Sequence, residues 1–205
     1  RARALSGGWK HSTPGMRRVV VKTRYVQQAG KNGKAAAHLR YIQRDGTSRD
    51  GERGQLYSAT DDRADGDAFL DRGKDDRHQF RFIVSPEDAA DLSDLTEHTR
   101  DLMSRIEADL GTKLDWVAVN HHNTGRPHVH VIVRGKDDMG ENLVINGDYL
   151  ANGMRERASD LATLELGPVT EIEQSRKLTA EIGQDRFTRI DRAMASEAEI
   201  GRAHV

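Results

Sequence analysis

The segment Asp115–Arg134 constrains the fold more than any other part of this sequence, because its side chains alternate in character. Successive residues of a strand point to opposite faces of a sheet. The alternation therefore predicts a strand over His128–Arg134, with a valine face for the core and a second face that carries two histidines. Leu114–His121 predicts a second strand, and the short polar link between the two predicts a hairpin.

The length of the hairpin turn decides which histidine of the first strand joins His128 and His130. An even number of turn residues, such as Thr124–Gly125 or Asn123–Arg126, pairs His121 with His128, and paired residues share a face. An odd turn or a bulge selects His122 instead. We expect the even register, with His122 kept as the alternative.

Three neutral imidazoles on one face are typical of a metal site, because uncharged histidine is a common metal ligand. Four of the nine histidines fall within ten residues, and the even register brings three of them together. Three protein ligands leave coordination positions open, which favours a reactive centre over a closed structural one. Imidazole ligands alone do not identify the metal, and a cluster of solvated histidines without an ion is the plainer alternative.

Elsewhere the sequence predicts strands at Arg17–Val26, Gln55–Thr60, His78–Ser85 and near Asn142–Ile145, and helices at Lys34–Arg44, Tyr149–Leu164 and from the Ser85–Pro86 pair to about Leu110. This order predicts an α+β fold in which helices cover one face of an antiparallel sheet and leave the other for a ligand. We expect an N-terminal extension at 1–16, a globular domain at 17–168, and a polar segment at 169–205 that leads into a missing part of a longer protein.

The helix predicted at Lys34–Arg44 places a tyrosine beside its buried stripe. Ala35, Leu39 and Ile42 have the spacing of a core-facing stripe, and Tyr41 lies about a quarter-turn from it. A phenol becomes a nucleophile once it is deprotonated, which nearby cations or a metal favour. On these residues alone a structural role for Tyr41 is the simpler interpretation. Tyr25 alternates with valines and is expected to be buried.

Charge is unevenly distributed although the net charge is only −1. Residues 17–44 contain cations and no acid, so we expect a local DNA-binding surface although the chain as a whole is nearly neutral. The predicted DNA contacts are Arg18, Lys22, Arg24, Arg40, Arg44 and Arg81. Aromatic residues are only 5% of the chain, which argues against extensive base stacking. The absence of cysteine excludes disulfides, and no apolar run is long enough for a membrane span.

Two motifs together resemble a known family. The segment His121-x-Asn123-x-x-x-Pro127-His128-x-His130 is similar to the metal motif of relaxases, the HUH endonucleases that nick plasmids at an origin of transfer. The context His38-Leu39-Arg40-Tyr41-Ile42-x-Arg44-x-Gly46 resembles the nucleophile helix of the P-type mobilisation class, which includes the T-DNA transfer relaxase. Phe80–Pro86 stands where the second family motif lies, and the resemblance covers roughly Arg18–Leu166.

The resemblance implies a ferredoxin-like fold, Mg²⁺ or Mn²⁺ held by His121, His128 and His130, and Tyr41 as the nucleophile that forms a 5′-phosphotyrosyl product. It implies a bacterial cytoplasmic enzyme of conjugation that acts on single-stranded DNA at an origin of transfer, not on membranes. Accessory relaxosome proteins and a type IV secretion coupling protein are the implied partners. Asn123 departs from the family, which often has Asp there, and Asn orients a ligand without adding charge.

Two other functions fit the same residues. A rolling-circle replication initiator would use the same chemistry for a different task. A non-catalytic module that binds metal and DNA would need the histidines and cations but no nucleophile, since a fold does not by itself establish function.

Overall fold

The computed structural model describes residues 15–28, 32–44, 47–123 and 125–182. The chain separates into two compact units, Arg1–Pro168 and Val169–Val205. The extension predicted at 1–16 lies outside the described residues except for residues 15 and 16. Of the polar segment predicted at 169–205, residues 169–182 are described and contain one helix, Glu171–Ile182. Among all described residues, no helix combines the length and apolarity needed to cross a bilayer.

The first unit contains a five-stranded antiparallel sheet, which confirms the predicted α+β class. The strands are β1 (Val19–Gln27), β2 (Leu56–Tyr57), β3 (His78–Pro86), β4 (Trp116–His121) and β5 (His128–Arg134), in the order β1-β3-β5-β4-β2. The helices are α1 (Asn32–Ile42), α2 (Gly66–Arg72), α3 (Leu95–Leu110) and α4 (Met154–Leu166), and the helix of the second unit is α5. A π-helical turn, Tyr149–Gly153, leads directly into α4.

Helices cover both faces of the sheet, so the prediction of helices on one face only was wrong. Val129, Val131 and Val133 of β5 join the main core, to which α3 and α4 contribute side chains such as Leu102 and Met154. On the opposite face α1 and α2 form a smaller core with Val117, Val119 and Ile132. On β1 and β3 this face carries the exposed Lys22 and Arg24 and the half-buried Arg81, although Ala35 of α1 lines a small cavity there with Gln28 and Gln79. The open surface predicted for a ligand is therefore smaller than a whole face.

Two predicted elements differ from the structure. Helix α3 begins at Leu95 and not at Pro86, because the Asp94 carboxylate caps it by accepting from the Thr96 and Glu97 backbone N–H groups. Ser85 and Pro86 instead extend the ladder of β3 against β1. The strand predicted near Asn142–Ile145 is reduced to one isolated bridge between Lys136 and Asn142. Helix α3 ends as predicted at Gly111, whose φ of 67° is a conformation that glycine adopts without strain.

A network of charged side chains surrounds Arg134, the last residue of β5. Arg134 binds both oxygens of Asp76 at 2.9 and 3.0 Å and donates a third bond to Asp115 at 3.0 Å. Arg72 completes the network with two bonds to Asp115. The Asp76 side chain is 4% exposed and that of Arg134 is 18% exposed, so the pair is largely removed from water.

Asp76→Ala should destabilise the protein by about 3 kcal/mol, because breaking a buried pair leaves an uncompensated charge, partly relieved here by Asp115. Urea unfolding followed by circular dichroism measures this loss. Asp62→Ala is the matched control, since Asp62 pairs with Arg100 at the surface with its own side chain 86% exposed. That variant should lose less than about 1 kcal/mol. Equal losses in the two variants would contradict a stabilising role for the buried pair.

Candidate metal centre

The pairing of β4 with β5 places His121 directly opposite His128, as the even register predicted. Six residues separate the two histidines, so the connection is longer than the two- or four-residue turns considered from the sequence but has the same parity. His130 lies two residues further along β5 and faces the same side. Three histidines from two adjacent strands therefore converge on the face that also carries α1.

The three imidazoles form a compact group. The ring centres of His121 and His130 are 4.3 Å apart, and each lies 5.2 Å from the centre of His128. One nitrogen from each ring can be chosen so that the three lie within 4.8 Å of one another. Nitrogens at this separation can bind one ion together, because ligand bonds from imidazole to a transition metal are about 2.0–2.1 Å long.

Backbone carbonyls fix which nitrogen is free in two of the rings. His121 Nε2 lies 2.6 Å from the Ile42 carbonyl oxygen, and His128 Nδ1 lies 3.1 Å from that of Arg126. A carbonyl oxygen only accepts, so each facing nitrogen carries the proton and the other nitrogen keeps its lone pair. His121 Nδ1 is buried without a hydrogen-bond partner. A buried unpaired acceptor costs free energy unless a ligand satisfies it, so the arrangement fits a bound cation.

The surroundings of His121 and His130 favour the neutral forms of these two rings. Burial lowers the pKa of His121, although the Ile42 carbonyl raises it in part. Burial, together with the positive charge that its neighbours His121 and His128 can carry, lowers the pKa of His130 to about 3. A neutral imidazole is the form that binds a metal, so His121 and His130 can bind an ion at neutral pH without releasing a proton. The described residues could therefore hold a metal ion at His121, His128 and His130.

His122 is not part of this group. Its backbone N–H donates to the Thr47 carbonyl at 2.7 Å, and the residue lines a separate cleft with Asn120, Thr96 and Arg100. The alternative ligand considered from the sequence is thus directed away from the cluster. Asn123, which stands where relaxases often have Asp, is exposed, and the Ile42 carbonyl is the group that orients His121.

Helix α1 carries Tyr41 next to Ile42, whose carbonyl oxygen contacts His121 of the histidine cluster. Ala35, Leu39 and Ile42 are buried as predicted, whereas Tyr41 is 57% exposed. The guanidinium carbon of Arg44 lies 4.7 Å from the centre of the Tyr41 ring. The ring of His38, one turn earlier, is nearly parallel to that of Tyr41 with centres 6.3 Å apart. Because Ile42 follows Tyr41 in the chain, its bond to His121 fixes this end of the helix against the cluster.

The other three tyrosines are less suited to attack a large substrate here. Tyr57 and Tyr149 are 3% and 1% exposed, and their hydroxyls donate to Asn120 and Asp109. Tyr25 was predicted to be buried, but it is 51% exposed. It shares the face of the main core, stacked on His78 and against Phe80, yet β1 is an edge strand and the helices do not cover its far end.

The predicted DNA-binding cations lie on β1, β3 and α1 or directly beside them in the chain. Lys22 and Arg24 are exposed on β1, and Arg24 lies directly opposite Arg81 of β3. Arg18 is engaged in an ion pair with Glu87 at 3.0 Å, which reduces its availability to a ligand. On α1, Arg40 is exposed and Arg44 is half-buried against Tyr41.

Sequence reasoning assigned no function to two groups that contact the predicted site residues. The Ile42 carbonyl contacts His121 and carries no sequence signal, because any residue supplies one. Gln79, which is buried beside Arg81, could have been identified by its i, i+2 spacing on one strand.

No model of a known protein family matches the chain, and no curated protein matches it either. The site is therefore interpreted from its own geometry.

His128→Ala should reduce the affinity for a divalent ion by more than about 100-fold, the upper range for loss of a group that only supports a ligand. Isothermal titration with Mn²⁺ measures the effect. His128 is half-buried, so the variant should fold. His122→Ala is the matched control, and it should bind Mn²⁺ as the unchanged protein does. Similar losses in both variants would show that the ligands are assigned wrongly.

The free energy of unfolding of the metal-free protein should fall as the pH decreases from about 7 to about 5. His38 and His130 have pKa values lowered to about 4 and about 3, mainly by burial. In the unfolded chain these two histidines bind protons near pH 6.5, whereas in the folded chain they stay neutral, so acid favours unfolding.

Urea unfolding in the presence of a chelator at several pH values measures this slope. A His38→Gln/His130→Gln double variant should show a shallower slope, because glutamine does not titrate. An unfolding free energy that is constant over this range, or that rises toward acid, would contradict the neutral state inferred for these rings.

Proposed function

We propose that this chain is a relaxase-type DNA strand transferase, which nicks single-stranded DNA at an origin of transfer and becomes linked to the 5′ end of the cut strand. One observation carries the proposal: an exposed tyrosine, Tyr41, lies on the helix whose next residue, Ile42, contacts the metal-site ligand His121. The nucleophile would thus lie on the helix that also contacts the cation site. Such an arrangement suits an attack on a phosphodiester.

The three histidines would bind Mg²⁺ or Mn²⁺. When bound, the ion would offset the charge of the scissile phosphate and polarise its P–O bonds. The ligands are neutral, so the full charge of the ion remains available to the phosphate. Three ligands also leave coordination positions for phosphate oxygens. Mn²⁺ accepts imidazole nitrogen more readily than Mg²⁺ does, which makes it the more natural probe in solution.

Tyr41 would supply the attacking oxygen. Its Oη forms a bond to phosphorus, the bond from phosphorus to the 3′ oxygen breaks, and the phenolic proton is balanced by the proton that the departing 3′-hydroxyl takes up. Arg44, whose guanidinium carbon is 4.7 Å from the ring centre, would offset negative charge on the attacking side. The reaction conserves the phosphoester bond, so the reverse reaction can reseal the strand.

The proposed architecture is a ferredoxin-like HUH fold with the DNA strand across β1 and β3, on the sheet face that carries the three histidines. Lys22, Arg24 and Arg81 would contact phosphates there, and Arg40 and Arg44 would do so from α1. Arg18 would contribute less, because Glu87 already neutralises it. In conjugation the partners would be accessory relaxosome proteins and a type IV secretion coupling protein in a bacterial cytoplasm.

Tyr41→Phe should abolish the covalent adduct with DNA and leave Mn²⁺ binding unchanged, because only the attacking hydroxyl is removed. A labelled oligonucleotide that contains a candidate origin sequence is incubated with the protein and Mn²⁺, and the adduct is detected by denaturing electrophoresis. Tyr25→Phe is the matched control, since its ring is exposed to a similar degree but faces the other side of the sheet.

The Tyr25→Phe protein should retain the adduct. A nucleotide mapped by peptide sequencing to any tyrosine other than Tyr41 would contradict the assignment. If several origin sequences gave metal-dependent DNA binding without any adduct, a non-catalytic binding module would be the correct function.

A further inference from the structure

Two arginines lie side by side on β1 and β3, on the sheet face that carries the three histidines. Arg24 of β1 lies directly opposite Arg81 of β3 in the ladder, and Lys22 lies on the same face one pair further along. Like charges directly opposite each other destabilise an antiparallel pair. Burial and the positive charge of Arg24 both lower the pKa of Arg81. Repulsion between Arg24 and Arg81 therefore lowers the stability of the free protein. No acid among their described neighbours offsets this repulsion.

A buried amide orients Arg81. Gln79 is two residues earlier on β3, is 4% exposed, and lies against the guanidinium. With its oxygen toward Arg81, the amide accepts from Nε at 2.6 Å and from Nη2 at 2.5 Å; the opposite orientation would place an NH₂ group against these donors. In this orientation the Gln79 NH₂ group lies 2.8 Å from the side-chain amide of Gln28.

The choice of an amide has an electrostatic consequence. A carboxylate at this position would hold the guanidinium equally well and would also cancel its charge. An amide fixes the direction of the guanidinium and leaves the positive charge for another partner. Arg134, on the same face, shows the contrast, because Asp76 and Asp115 neutralise it. The Gln79–Arg81 arrangement is thus typical of a preorganised anion site, not of a structural ion pair.

We propose that Arg81, held by Gln79 and assisted by Arg24, binds a backbone phosphate of single-stranded DNA at a site separate from the histidine cluster. The choice of DNA as the ligand rests on the function proposed above. Arg81 lies opposite Ile132 on β5, and His130 is the next residue of β5 on that face. A strand whose phosphate reaches the histidines can therefore place another phosphate on Arg81.

The chemistry favours a phosphate over a base. The planar guanidinium matches two oxygens of a phosphate, and its three remaining N–H groups are free of Gln79. Tyr25 lies on the other face of the sheet and Tyr41 is assigned to the proposed reaction site, so neither exposed tyrosine is assigned to stacking beside Arg81. Contact with phosphate fixes the position of the strand and does not read its sequence.

Gln79→Glu tests the site with a change of charge alone, because it replaces an amide with an isosteric carboxylate that neutralises Arg81. Binding of a fluorescent single-stranded oligonucleotide is measured by anisotropy at several salt concentrations, with a chelator present and Tyr41→Phe as the background, so that neither metal nor cleavage contributes. Gln79→Glu and Arg81→Gln should each weaken binding about tenfold, the effect of losing a charged hydrogen bond.

Both variants should also reduce the slope of log affinity against log salt by about 0.7, the value for one phosphate contact on a single strand. Arg24→Gln, at an exposed position where folding is not at risk, should show a smaller effect in the same direction. Arg105→Gln on α3, on the opposite side of the sheet, should change neither quantity.

Unchanged affinity and slope in Arg81→Gln and Gln79→Glu would overturn the site. It would also be overturned if calorimetry showed that Arg81→Gln loses inorganic phosphate while oligonucleotide binding persists, since the site would then serve a free anion. Failure of the proposed function is distinguishable: the salt slope would depend on Arg81 as expected, but no origin sequence would give an adduct with Tyr41.

Discussion

The antiparallel pairing of His121 with His128 is the contact on which the site depends. Side chains alternate along a strand, so a shift of one residue in this ladder would send His121 into the main core and bring His122 to the cluster. The core prevents that shift, because Val129, Val131 and Val133 are almost fully buried and must stay on the side of α3 and α4. Hydrophobic packing on one face of the sheet thus fixes the chemistry on the other.

On the sheet face that carries His121, His128 and His130, neutral groups orient the side chains as much as charged groups do. Carbonyl oxygens of Ile42 and Arg126 determine the tautomers of His121 and His128, and the Gln79 amide directs Arg81. None of these groups adds charge. The positive charge of this surface is therefore not cancelled locally, although the whole chain has a net charge of −1. Other acids are concentrated elsewhere, for example at the N-terminus of α3.

The parts of the site that could be predicted from the sequence are those that follow from a single period. Alternation along β5 and turn parity identified the three histidines, and helical spacing identified Tyr41 as lying outside the buried stripe of α1. The errors arose where two local signals competed or where tertiary packing decided. Ser85–Pro86 has the chemistry of a helix start, but the ladder with β1 outweighs it and Asp94 caps the helix instead.

Tertiary packing explains the other differences. Tyr25 has the alternation of a core residue, yet its exposure depends on how far the helices extend over an edge strand, which the sequence of β1 does not encode. The smaller core beneath α1 and α2 likewise depends on where those helices dock. The Ile42 carbonyl had no sequence signal at all, because every residue has the same backbone group.

The position of β1 at the edge of the sheet gives Lys22 and Arg24 a second effect. A long edge strand exposes unpaired backbone groups that invite strand addition and aggregation, and charged side chains oppose it. The opposite edge is protected differently, because β2 has only two residues. Repulsion between cations would keep the β1 edges of two molecules apart in the free protein. A bound polyanion would remove that repulsion, so colloidal stability and ligand occupancy are linked through the same two side chains.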